Sequence, residues 1–217
     1  MLFDLRGRRR RAVQVTYLML AVLMGGGLVL FGIGGGVSGG LLDAITGSGG
    51  GSDANSQLQK QVEREEKRLA GSPNNPTILK ALVRDHYALA AADQPSGSSQ
   101  FPEDAKDDLR AAARYWQRYL DVVKGQPDAS LAAFALQAYD TGGLNQPKQA
   151  ARAMAIIAER QNTFEAYLAL VQRAAAAGDT RTADLAAQKA VDLAPTDQKK
   201  QVKKLAEQAK KQATPQQ

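Results

Sequence analysis

The segment from residue 162 to residue 195 constrains the fold more than any other part of the chain, because it has the spacing of a helix–turn–helix pair. One face of a first helix is followed by a turn glycine, one face of a second helix and a closing proline. These positions are Tyr167, Leu170 and Ala174, then Gly178, then Ala183, Ala187 and Ala190, then Pro195. A single helical hairpin cannot bury its apolar stripe by itself, so the pattern predicts that neighbouring hairpins stack on it.

The Ala, Gly and Pro spacing resembles the tetratricopeptide (TPR) family, whose repeats are helical hairpins of about 34 residues. Val171 stands where the family usually has glycine, and alanine occupies two aromatic positions. Residues 128–161 form a weaker copy with Gly142 at its turn. A third copy, with a much longer connection, pairs a helix from Leu79 to His86 with one from Ala112 to Tyr119. The alternative interpretation is an alanine-rich helical hairpin outside the family.

The resemblance implies an all-α fold in which residues 74–195 form three TPR-like helical hairpins. It also implies a concave groove, lined mainly by the first helix of each hairpin, that binds a peptide or protein partner. The candidate groove residues are Lys80, Arg84, Tyr87, Leu136, Tyr139, Glu165, Leu168 and Gln172. Lys80 and Arg84 are four residues apart on one helical face, which suits a partner carboxylate. The alternative is that these residues make ordinary surface contacts or contacts within their own helices.

Two further helices flank the predicted hairpins. Residues 56–72 read as a polar helix, either a solvated stalk or a helix resting lightly on the first hairpin. Residues 196–217 place Val202, Leu205 and Ala206 at helical spacing among lysines and glutamines, as a lysine-rich capping helix with a frayed tail requires.

The N-terminal part of the sequence predicts a membrane anchor. Residues 12–33 are mostly apolar and uncharged, and a helix of that length reaches about 33 Å, enough to cross a bilayer core of about 30 Å. Residues 1–11 carry five arginines, which favours a cytoplasmic N-terminus and an extracytoplasmic C-terminal domain. A cleaved signal peptide is the alternative, although its apolar core is usually shorter.

Glycine is concentrated after the middle of the span, with thirteen of the twenty glycines between Gly25 and Gly51. Gly32 and Gly36 have the spacing that lets two membrane helices approach closely, so they are candidate helix-contact residues. The alternative is a glycine-tolerant span that passes into a flexible linker. Residues 34–55 are predicted to be that linker.

Charge and composition bear on partners and chemistry. The chain carries a net charge of +6, but its two ends account for more than all of it, which leaves the predicted hairpins slightly negative and argues against nucleic acid as a partner. There is one histidine, His86, at a helix-packing position, and no cysteine. We therefore predict no catalytic residues, no metal site and no cofactor, and we expect that the protein is not an enzyme.

Two functions fit these expectations. The first is a membrane-anchored scaffold that binds other proteins on the extracytoplasmic face and assists export, folding or envelope assembly in a bacterium. Its layout is similar to that of single-span TPR proteins beside the Sec translocon. The second is a structural accessory subunit that docks into a larger membrane complex through its glycine-rich span. Self-association is compatible with either function, because three hairpins are near the minimum for a stable stack.

Overall fold

The computed structural model describes residues 51–213, and within them the chain is entirely helical. Eight α-helices and a 3₁₀ turn at Glu103–Ala105 occupy this part of the chain, which contains no strand. The helices are α1 (Gly51–Gly71), α2 (Pro76–Ala92), α3 (Lys106–Val122), α4 (Ala129–Tyr139), α5 (Pro147–Gln161), α6 (Phe164–Ala176), α7 (Thr180–Leu193) and α8 (Lys199–Ala213). The predicted all-α class is confirmed for these residues.

Side-chain caps explain where several helices begin. The Asn75 side chain accepts a hydrogen bond of 3.0 Å from the Thr77 N–H at the start of α2. Asp128 accepts from the Ser130 N–H at 3.0 Å, and Asp179 accepts from the Thr182 N–H at the same distance. Such caps satisfy N–H groups that have no partner inside the helix. Polar residues of this kind therefore fix the starts of α2, α4 and α7.

Successive helices pack as hairpins. The pairs α2 with α3, α4 with α5, and α6 with α7 are in contact, and α3 with α4 and α5 with α6 join one pair to the next. Helix α1 lies against α2, and α8 lies against both α6 and α7. Three consecutive hairpins are therefore covered by α1 at one end and by α8 at the other.

The helical spacing seen in the sequence corresponds to the buried faces of these pairs. In the first pair, Leu79, Leu82 and Val83 of α2 are buried, as are Ala112 and Trp116 of α3, and the two helices are in contact. The equivalent buried positions of the other two pairs are Leu131, Ala135, Ala138, Ala150, Met154 and Ile157, then Leu170, Val171, Ala174, Ala183, Ala187 and Ala190. Apolar and small residues at these positions let neighbouring helices pack closely.

The loop between α2 and α3 folds back onto the turn between α4 and α5. The Phe101 N–H donates to the carbonyl oxygen of Gly142 at 2.8 Å. The Phe101 ring is buried and meets the Tyr87 ring edge-on, with ring centroids 6.1 Å apart. Leu144 packs against the same cluster. This long connection is therefore part of the core that joins the first two hairpins.

One predicted boundary differs from the structure. Helix α1 begins at Gly51, whereas the linker was predicted to run through residue 55. No glycine or proline occurs from Ser52 to Ala70, so nothing in the backbone chemistry delays the helix beyond this point. Helix α1 also packs on α2, with Val62 and Leu69 buried, which favours a resting helix over a solvated stalk.

The remaining N-terminal expectations fall on residues that lie outside the described part of the chain. These are the basic segment 1–11, the span 12–33, the candidate contact residues Gly32 and Gly36, and residues 34–50 of the predicted linker. Among helices in residues 51–213, none combines the length and the apolar character that crossing a bilayer requires.

Candidate functional site

The candidate groove residues divide into two groups in the structure. Arg84, Glu165 and Gln172 are exposed, and Lys80 is half-buried. The four remaining residues, Tyr87, Leu136, Tyr139 and Leu168, are all less than one-tenth exposed. Only the polar half of the candidate set is therefore placed where a partner can reach it in this structure.

The buried aromatic residues have partners inside the stack. The Tyr87 ring lies 5.0 Å from the Phe134 ring, between centroids, and its hydroxyl donates a short hydrogen bond to Gln137 Oε1. Burial raises the pKa of Tyr87 to about 12. The Tyr139 hydroxyl accepts a hydrogen bond from Gln117 Nε2 at 3.0 Å. These side chains join hairpins to one another, since α2 and α3 both contact residues of α4 through them.

Lys80 makes an internal ion pair. Its Nζ lies 3.1 Å from Oδ2 of Asp128, the residue that caps α4. Burial by itself raises the pKa of Asp128, but hydrogen bonds from Lys80 and from the Leu131 and Ser130 N–H groups outweigh it, so the pKa lies below its usual value. Lys80 therefore links α2 to the start of α4, and Arg84 is the exposed cation of the predicted pair.

A shallow depression surrounds this ion pair. Its volume is about 450 Å³, and its walls include Lys80, Tyr119, Ser130 and Arg160. Arg160 ends α5 and is exposed. Because Lys80 already faces a carboxylate here, Arg160 is the wall cation without an ion pair to any of residues 51–213. This surface suits a small polar contact with a partner.

A polar cluster joins α1, α2 and α3 around the buried His86. Its Nδ1 lies 2.7 Å from Oδ1 of Asp108, and its Nε2 lies 3.7 Å from Oε1 of Glu66. The Tyr115 hydroxyl donates to that Glu66 oxygen at 2.8 Å, and the Tyr115 ring stacks on His86. Each of these side chains contacts a side chain of another helix. His86 therefore lies at a contact between helices, as its position in the sequence predicted.

A second depression was not anticipated from the sequence. It lies where α3 meets the α4–α5 turn and the beginning of α5, and its volume is about 390 Å³. Three arginines and three glutamines supply its polar walls: Arg110, Arg114, Arg152, Gln117, Gln146 and Gln149. We call this surface the arginine groove. The i, i+4 spacing of Arg110 and Arg114, with Gln117 one turn further, is the sequence signal that points to it.

The sequence did not single out the arginine groove because the family resemblance directs attention to the first helix of each hairpin. Most of its walls instead come from α3 and α5, the second helices of two hairpins. Arg152 is also distant in the sequence from Arg110 and Arg114, so only the packing of the hairpins brings the three together.

The side chains at these surfaces offer positive charge and hydrogen-bonding groups. Both depressions are open, and their polar side chains are mainly cations and amides, together with the hydroxyls of Tyr119, Ser130 and Tyr139 and the carboxylate of Asp128. In residues 51–213, no three histidine, aspartate or glutamate side chains are grouped as metal ligands. Guanidinium and amide groups at an exposed surface favour hydrogen bonds with carboxylates and peptide groups of another molecule.

Comparison of the chain with family models, with curated proteins and with solved structures found no match. The TPR resemblance therefore depends on residue spacing alone.

Proposed function

We propose that the protein is a membrane-anchored TPR-like scaffold whose stacked hairpins bind other proteins on the extracytoplasmic face of the membrane. The observation that carries this proposal is the coincidence of two patterns. Most of the residues at family-like spacing are buried, while cationic and amide side chains line two open depressions. Stacked helical repeats commonly present such extended binding surfaces.

The location is supported by the sequence. An uncharged segment of sufficient length follows five arginines, and the next basic residue after it is Lys60. This asymmetry favours an inserted helix with a cytoplasmic N-terminus. The proposed anchor thus holds the helical stack at the outer face of the membrane, where export, folding and envelope assembly take place.

The proposal is tested by mild crosslinking in intact membranes, followed by purification of the full chain and identification of the proteins that accompany it. Two double variants distinguish a scaffold function from that of an accessory subunit. One is Gly32→Leu with Gly36→Leu, which fills the close-approach surface of the span. The other is Arg84→Glu with Gln172→Glu, which changes exposed residues of the stack without altering the core.

The scaffold proposal predicts that a partner accompanies the wild-type chain and the glycine variant, and that its recovery falls in the surface variant. Loss of the partner in the glycine variant alone, with the surface variant unaffected, contradicts the proposal and favours an accessory subunit docked through its span. Capture of the chain itself and of no other protein also contradicts it.

A further inference from the structure

The arginine groove combines several positive charges with no negative wall. Arg110 and Arg114 lie one turn apart on α3, and Arg152 comes from α5. Its lining residues include no aspartate and no glutamate. A groove of one sign concentrates a positive potential, which attracts anionic groups and selects against cationic ones.

The three guanidinium groups are not equally engaged. Arg110 Nη1 lies 2.6 Å from Oδ1 of Asp107, and Arg110 Nη2 lies 3.9 Å from Oε1 of Glu103. Arg114 and Arg152 make no ion pair with any of residues 51–213, and both are exposed. Arg114 and Arg152 therefore each present a planar set of N–H donors to the groove, a geometry that matches a carboxylate through two parallel hydrogen bonds.

The floor of the groove orients an amide. Tyr139 is 2% exposed, and its hydroxyl donates to the Ala113 carbonyl oxygen at 3.4 Å while it accepts from Gln117 Nε2 at 3.0 Å. This arrangement uses one N–H of the Gln117 amide, and no hydrogen bond within residues 51–213 engages the amide oxygen. Gln146 and Gln149 add two more amides to the walls. Side-chain amides pair with both the N–H and the carbonyl groups of a peptide backbone.

These features favour an acidic peptide over a nucleic acid. Proteins that bind single strands usually offer exposed aromatic rings on which bases stack. The aromatic residue that lines this groove is Tyr139, whose ring is buried and whose hydroxyl is already hydrogen-bonded. Alternating carboxylates and peptide groups instead match the guanidinium and amide groups that line the walls.

We propose that the arginine groove binds an extended acidic segment of a partner protein, with Arg114 and Arg152 each pairing with a carboxylate and Gln117 contacting the peptide backbone between them. This inference rests on the proposed scaffold function and names the chemistry of its partner. It adds a contact on the second helices of the first two hairpins to the exposed surface that the Arg84 and Gln172 variant tests.

The test uses the full chain in nanodiscs of phosphatidylcholine and a fluorescein-labelled peptide in which glutamate alternates with glycine. Binding is followed by fluorescence anisotropy at about 0.15 M salt, where long-range attraction to the basic ends of the chain is screened. The variant is Arg114→Gln with Arg152→Gln. The matched control, Lys200→Gln with Lys204→Gln, removes the same charge from the exposed side of α8.

The expected result is a Kd for the peptide that rises about tenfold or more in the arginine variant, since each 1.4 kcal/mol of lost binding energy is one factor of ten. The lysine variant is expected to bind like the wild-type chain, and a peptide with glutamine in place of glutamate is expected not to bind. Arg114→Lys with Arg152→Lys keeps the charge but loses the paired donors, so intermediate binding is expected. Circular dichroism checks that each variant is folded.

Equal weakening by the arginine and lysine variants overturns the proposal, because it shows attraction by net charge alone. Equal binding of the glutamine peptide overturns it as well. So does tighter binding of phosphatidylglycerol vesicles than of the acidic peptide through the same arginines, which assigns the groove to lipid headgroups. If the groove fails these tests while crosslinking in membranes still captures a partner, the scaffold function stands and only this assignment is lost.

Discussion

At the scale of single residues, the stack depends on small side chains where backbones approach. Alanines occupy many of the buried positions between helices, and Gly142 lies directly against the loop that precedes α3. A Cβ atom added at Gly142 would overlap the Ser99 carbonyl oxygen, which belongs to the backbone and cannot rotate away. The glycine that the sequence indicated as a turn residue is therefore also required for close packing.

We expect Gly142→Ala to lower the free energy of unfolding by about 1–3 kcal/mol, the usual cost of overpacking. Urea unfolding of the full chain in a mild detergent, followed by circular dichroism, measures the change. Gly71→Ala is the matched control, because no atom lies within 4 Å of its added Cβ. The control is expected to change stability by about 1 kcal/mol or less. If both substitutions changed the free energy of unfolding equally, the close contact of Gly142 with Ser99 would not be the cause of the destabilisation.

The burial of some single residues could be predicted from the sequence, whereas that of others could not. The spacing of Leu79, Leu131 and Leu170 predicted their burial, because one apolar stripe per helix follows from the helical period. It did not predict the burial of Leu136 and Tyr139. Helix α4 touches α2, α3 and α5, so its buried arc is much wider than one stripe. The nearly continuous apolar sequence of α4, from Ala129 to Tyr139, is the signal of that wider burial.

At the scale of helices, the joint between α1 and α2 contains a buried charge. Asp85 is 8% exposed and accepts a hydrogen bond from Gln61 Nε2 at 3.0 Å. Burial raises the pKa of Asp85, and the hydrogen bond from Gln61 and the nearby Arg84 and His86 offset this only in part. A carboxyl group with a raised pKa in the folded state stabilises the fold when protonated. That stability is lost as the pH rises through the folded pKa.

We therefore expect Asp85→Asn to raise the thermal unfolding temperature at pH 7, because asparagine keeps an acceptor for Gln61 without a charge to bury. The gain is expected to shrink as the pH falls through the raised pKa of Asp85 toward the ordinary pKa of aspartate, because Asp85 becomes protonated in the folded state over this range. Circular dichroism melts of both chains across this pH range provide the measurement. A variant that is less stable than the wild type at pH 7 contradicts this account and shows that the Asp85 charge supports the joint.

Helix order was predictable, whereas several contacts between helices were not. Local signals such as Gly178 and Pro195 lie at helix ends and are visible in the sequence. The ion pair of Lys80 with Asp128 joins residues 48 positions apart, so no local pattern reveals it. Lys80 was consequently interpreted as a cation for a partner, although the structure pairs it internally.

At the scale of the whole molecule, three hairpins are covered by α1 at one end and by α8 at the other, and the proposed anchor precedes them in the sequence. Residue spacing was sufficient to predict the all-α class of residues 51–213. The arginine groove was not predictable, since its walls come from two hairpins and form only when these pack. The positions of exposed charges on the stack therefore depend on how the hairpins pack, which the residue spacing does not specify.

The central claim, that this stack contacts another protein outside the membrane, is tested most directly by site-specific photocrosslinking in intact cells. A benzophenone amino acid is placed at position 84, 114 or 172 of the full chain, with position 204 on the far side of α8 as the control. We predict a discrete adduct with a second, extracytoplasmic protein from at least one stack position and none from the control. The same products from all four positions, or adducts with the chain itself alone, would contradict the account.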